Sequence, residues 1–84
     1  MKKLIRISEE CHGTIAVASN FEKAIQYLLD EGWISEHTCL YDESREGDAT
    51  LFEIFGENWQ TELFKQDGSF FDGLFYFYEI DFVD

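Results

Sequence analysis

Proline is absent from the 84 residues, and cysteine, methionine and the basic residues are scarce: two Cys, one Met and six Lys or Arg. With no proline, no internal repeat and no low-complexity stretch, nothing in the sequence marks a linker. A chain this short cannot assemble two cores that each offset the entropy of folding, so a single domain over residues 1–84 is expected. Six cations are too few to neutralise a run of phosphates, which argues against direct binding of nucleic acid. The longest apolar stretches, Ile15 to Ala18 and Leu74 to Tyr78, are far too short to cross a bilayer, so no membrane association is expected. Behind Met1-Lys2-Lys3-Leu4-Ile5 the residues Arg6, Ser8, Glu9 and Glu10 end the apolar run, which leaves no secretory h-region. The expectation is a soluble, cytoplasmic protein in which Cys11 and Cys39 are reduced thiols rather than a bridge.

What the chain has in excess is acid and aromatic surface. Eighteen Asp and Glu give a formal net charge of −12, and 9 Phe, 4 Tyr and 2 Trp stand in a sequence that is 45% hydrophobic. Acidic disordered chains are poor in aromatics, so this one must fold and bury them. The charge exceeds the roughly 2 to 8 units that solubility asks of a small domain, and its self-repulsion costs stability.

Residues 2 to 8 alternate, with Ile5 and Ile7 opposite Arg6 and Ser8, and read as a strand. Gly13 breaks it, and Thr14 to Ala18, apolar on both faces, reads as a second strand covered on both sides. Ser19 and Glu22 match a capping box ahead of the stripe Phe21, Ala24, Ile25, Leu28 and Leu29, with Gly32 as the stop; a helix over about residues 20 to 31 follows. His37 to Tyr41 suggests a short third strand and Asp42 to Asp48 a loop. Leu51, Phe55, Trp59 and Leu63 form one helical row that Gly56 splits in two, and Phe70 to Gly73 suggests a further turn. Residues 74 to 83 alternate as a final strand. The expected fold is α+β, a small antiparallel sheet of three or four strands packed against two or three helices.

The most specific local match is to a calcium loop, with Asp42, Ser44 and Glu46 at positions one, three and five, then Gly47, Asp48, Thr50 and Glu53 at six, seven, nine and twelve. Glu at position five, Ala49 at eight and a non-helical entering segment argue against it; the competing expectation is an acidic loop entering a helix capped by Asp48 or Thr50. Cys11, His12, His37 and Cys39 lack the spacing of a zinc site, and no nucleophile motif, oxyanion loop or dinucleotide fingerprint is present. The expectation is therefore no enzyme, no metal and no cofactor.

The acids themselves remain. The first half of the chain, to Asp42, carries a net charge of −3 and the second half −9. Glu53 and Glu57 are four apart in a helical segment, and Glu79 and Asp81 share a strand face; rows of charge at about 6 Å imitate the backbone of a nucleic acid. Glu53, Glu57, Glu62, Asp67, Asp72, Glu79 and Asp81 are the candidate partner-binding acids, with Trp59 and Tyr78 as aromatic anchors. The competing expectation is a solvated face that only maintains solubility. Carboxylates whose nearest charges are other carboxylates should have raised pKa values, so stability should increase from pH 7.5 toward pH 5 in low salt. The tail aromatics, among them Tyr76 and Tyr78 opposite Phe75 and Phe77, need cover on both faces, either from helices on both sides or from helices and a partner, as a monomer or a homodimer.

Cys11-His12-Gly13 with Ile15 to Ala18, the helix, Gly32-Trp33, and Phe55-Gly56-Glu57-Asn58-Trp59 before an aromatic strand resembles small acidic proteins of phages and mobile elements of Gram-positive bacteria. The resemblance is to structural motifs over most of the chain and transfers no functional residue. It implies by analogy an anti-CRISPR-like or anti-restriction-like inhibitor, with a host nucleic-acid-binding or defence protein as partner in the bacterial cytosol.

Overall fold

The computed structural model describes residues 2–83. Among these residues five strands and three α-helices follow in the order β1 (Lys2–Glu9), β2 (Gly13–Ala18), α1 (Phe21–Asp30), β3 (Cys39–Asp42), β4 (Gly47–Thr50), α2 (Leu51–Phe55), α3 (Trp59–Leu63) and β5 (Phe75–Phe82). The α+β class holds. The strands form two sheets: an antiparallel three-stranded sheet of order β2-β1-β5 and a separate β3-β4 ribbon.

Strand β1 is central although it carries Lys2, Lys3 and Arg6. Its alternation sends Ile7 into the core at 0% exposure and leaves Lys2 and Lys3 exposed at the sheet end. On β1, Ile5 faces Ala18 of β2 and Glu79 of β5, while Ile7 faces Ala16 and Phe77. Between Ile7 and Ser8 the register of the β1-β2 pair shifts, which makes Ile15 the extra residue and turns it toward the core. Ile5 is the last residue of β1 that pairs with β2, so residues 2–4 continue with residues 80–82 alone as a two-stranded arm. The domain is correspondingly elongated, 46 × 24 × 21 Å.

Apart from Ala49, the buried apolar residues form one cluster on one side of the three-stranded sheet. Ala24, Ile25 and Leu28 of α1 meet Ile7, Leu51, Leu63, Phe71 and Phe75. Phe71 joins the layers: its ring lies 5.1 Å from Phe70, 5.5 Å from Phe77 and 6.4 Å from Phe21. The helix ends follow local chemistry. Gly32 at φ +77° receives the chain after α1, and Gly56 at φ +80° separates α2 from α3.

Four sequence expectations are corrected. The cap of α1 is Asn20, not Ser19: Asn20 is extended and its Oδ1 accepts from the Lys23 amide at 2.8 Å, a role in which Asn and Ser are equivalent. Strand β2 is an edge strand, and its Val17 is 52% exposed because helices cover only one face. The segment expected as a loop to Asp48 contains β4, which pairs back on β3 with Leu40 opposite Ala49 and Asp42 opposite Gly47. Strand β5 is likewise an edge strand and not one sandwiched between helices.

Candidate interaction surface

The acids expected to form charged rows are placed as follows. Glu53 lies in α2, Glu57 in the turn after Gly56, and Glu62 in α3, so no continuous helix carries Glu53 and Glu57 on one face. Glu53 closes a capping box with Thr50: its carboxylate accepts from the Thr50 amide at 3.0 Å while the Thr50 hydroxyl accepts from the Glu53 amide at 3.1 Å. Arg45 then donates to the Glu53 carbonyl at 2.9 Å. Glu62 pairs with Lys65 at 3.0 Å, and Asp67 accepts from the Ser69 amide at 3.0 Å. Glu79 and Asp81 do share a face, where Lys3 reaches Asp81 at 2.6 Å and Glu79 at 3.7 Å. Of the seven, only Glu57 and Asp72 have no side-chain hydrogen bond or ion pair among the described residues.

The calcium-like spacing is used differently. Asp42 accepts from the Ser44 amide at 3.0 Å and from its hydroxyl at 2.7 Å, and so caps the short turn Glu43–Arg45. Glu46 takes the left-handed φ of 51° at the hairpin tip, and Asp48 to Thr50 pair as strand. A hairpin that ends in a capped helix replaces the ion-wrapping loop, with Thr50 as the cap. Among the described residues no group of three His, Cys, Asp or Glu stands close enough to hold a metal ion. Cys11 and Cys39 are unbridged, and His12 bonds Glu9, whose carboxylate also accepts from the Cys11 amide at 3.0 Å.

These bonds set the electrostatics. Hydrogen bonding from His12 holds Glu9 below the usual carboxylate value, the Ser44 hydroxyl does the same for Asp42, the Thr50 amide for Glu53, and the Ser69 hydroxyl for Asp67. Every shift that stands out among the described residues is downward. The expectation that crowding raises carboxylate pKa values is therefore corrected at these four, because each accepts donated bonds from its own turn. The sequence carried a signal for this: Asp42-Glu43-Ser44 and Asp67-Gly68-Ser69 share an Asp-x-Ser spacing, and Thr50 to Glu53 is a capping-box match as good as Ser19 to Glu22.

Trp59 packs half-buried against the core and forms one wall of an open groove of about 510 Å³, beside Gln26, Asp30, Ile34, Glu36 and Gln60. Tyr78 lies elsewhere, on the outer face of the sheet. Alternation places Leu4, Arg6 and Ser8 of β1 there, with Tyr76, Ile80 and Phe82 of β5 and Val17 of β2. None of these side chains belongs to the core cluster or packs against it, and Tyr78 and Phe82 are each 44% exposed. The Arg6 guanidinium lies over the Tyr78 ring, 4.7 Å from its centroid, and its Nε is covered without a hydrogen bond. The strand residues on this face include no carboxylate.

No family model matches the chain, and no curated protein or solved structure matches it either.

Proposed function

We propose that the chain is a non-enzymatic acidic inhibitor that occupies a basic, nucleic-acid-binding surface of another protein, a host defence protein in the reading that the sequence resemblance implies. One observation carries this reading. None of the described acids is buried, and among the described residues only Lys3, Arg45 and Lys65 of the six Lys and Arg form ion pairs with carboxylates. A field of −12 units therefore remains at the surface. Such a field attracts a surface rich in Lys and Arg and competes there with phosphates. Glu57 and Asp72 are free to meet a cation without breaking a bond within the fold, whereas Glu53 and Asp67 would have to share theirs. The test is capture from host lysate at low and high salt, followed by addition of the chain to the captured protein with its nucleic acid bound. Release of the nucleic acid, weakened by salt and by the pair Glu57→Gln with Asp72→Asn, is the expected result. A captured protein that keeps its nucleic acid overturns the reading.

A second reading, an oligomeric or adaptor protein whose aromatic C-terminal strand is its interface, is favoured by the uncovered outer face around Tyr78. If Tyr78→Glu leaves every association of the chain unchanged, this reading is lost.

A further inference from the structure

We infer that the outer sheet face joins two copies of this chain, stacked face to face about a two-fold axis that runs across the strands. The inference rests on the second reading above and names the occupant of its surface. Charge selects that occupant. Two bodies of −12 each repel, and contact costs least where carboxylates are absent or are met by a cation of the other copy. The outer face meets that condition. A basic partner gains nothing there, because the charged strand residues it would meet are Lys2 and Arg6.

Geometry sets the orientation. The face carries Lys2 at the arm end, whereas Glu10 lies at the opposite end, where its amide donates to the Leu74 carbonyl at 3.2 Å. A two-fold axis across the strands lays the Lys2 end of one copy over the Glu10 end of the other, twice, as an isologous contact requires. Stacked sheets stand about 10 Å apart, so carboxylates on the far faces lie beyond the Debye length of about 8 Å at physiological salt.

Area sets the strength. Eight residues at about 3.3 Å and three strands at about 4.8 Å give a flat footprint of roughly 350 Å² per copy. Two such footprints make roughly 700 Å², short of the about 1,000 Å² that a stable interface buries, so the dimer is a weak, concentration-dependent one.

Sedimentation equilibrium of the full chain from micromolar to millimolar concentration tests the inference. The mass should rise from 9.9 kDa toward twice that value. Salt should strengthen the association by screening, opposite in sign to its effect on binding to a basic target. Tyr78→Glu and Val17→Glu each place a carboxylate on the face and should return the chain to a monomer with an unchanged far-ultraviolet spectrum. Val17 is half exposed on an edge strand, so at least that variant folds. A monomer at every concentration and salt overturns the inference, as does a dimer that both variants leave intact. The adaptor reading falls separately, only if the two variants also leave binding to a captured target unchanged.

Discussion

Phe71→Ala tests the assignment of the two sheet faces most directly. Phe71 is 1% exposed, and three aromatic rings have centroids within 6.4 Å of its own. Removing a fully buried Phe side chain costs about 3–5 kcal/mol, from lost transfer energy and the cavity left behind. A domain of 84 residues has a total stability of roughly 4–13 kcal/mol, so the variant loses a large share of it. Phe71→Leu keeps most of the volume and should cost only about 1–1.5 kcal/mol, which secures a folded comparison. Tyr78→Ala is the control. It lies on the outer face, where it loses the stacking of Arg6 and part of a half-exposed ring, and should cost no more than about 1 kcal/mol. Urea unfolding at low micromolar concentration, followed by the fluorescence of Trp33 and Trp59, measures all three, because both indoles pack against the core. A Tyr78→Ala cost equal to that of Phe71→Ala would mean that the outer face is buried within the monomer, and both the faces and the interface argued from them would be wrong.

Thr50→Ala opens the capping box that starts α2 and should lower stability by about 1 kcal/mol in thermal melts, with Thr50→Ser restoring most of it. Acid should destabilise the protein below about pH 4.5. Glu9, Asp42, Glu53 and Asp67 have folded pKa values below their ordinary values of 4.5 for Glu and 3.8 for Asp. Their contribution is complete above those values and is lost as pH falls through the folded ones. A melting temperature that keeps rising from pH 4.5 to pH 3 refutes this. Millimolar calcium and magnesium should raise the melting temperature equally, by screening alone, since Asp42 and Glu53 are engaged in capping; a larger calcium shift that Glu53→Gln removes would restore the ion-binding loop.

Most of the fold is legible where one signal acts alone. The stripe from Phe21 to Leu28 with Gly32 behind it, the alternation from Phe75 to Phe82, and the split at Gly56 all rest on local period and on glycine. Strand β4 is not legible, because Gly47, Asp48 and Ala49 have weak strand preference and become a strand only by pairing with β3. Strand order is not legible either. Strand β1 carries Lys2, Lys3 and Arg6 yet lies in the middle, because β2 and β5 pair with its two edges while Ile7 packs into the core. At the surface, the letters show that acids abound but not which are occupied. Glu53 and Asp67 differ in sequence from Glu57 and Asp72 only by a Thr three residues before the one and a Ser two residues after the other, and it is the amides and hydroxyls of those two residues that engage them.

The distribution of those acids also limits how far self-association can run. Strand β5 is an edge, and an edge with unpaired backbone groups invites another strand. Glu79 and Asp81 stand on this edge, and a β5 added antiparallel from a second copy would bring four carboxylates together with two Lys3 side chains to meet them. Like charges directly across a strand pair destabilise it. The same strand therefore discourages growth along its edge and permits contact through its outer face. Face-to-face contact about a two-fold axis closes on itself, because the surface used by each copy is covered by the other. The positions of Glu79 and Asp81 thus favour a closed pair over an extended sheet. Replacing both with Thr should turn a reversible dimer into larger assemblies at the same protein concentration. If that double variant remains a dimer by sedimentation, the two acids do not guard the edge.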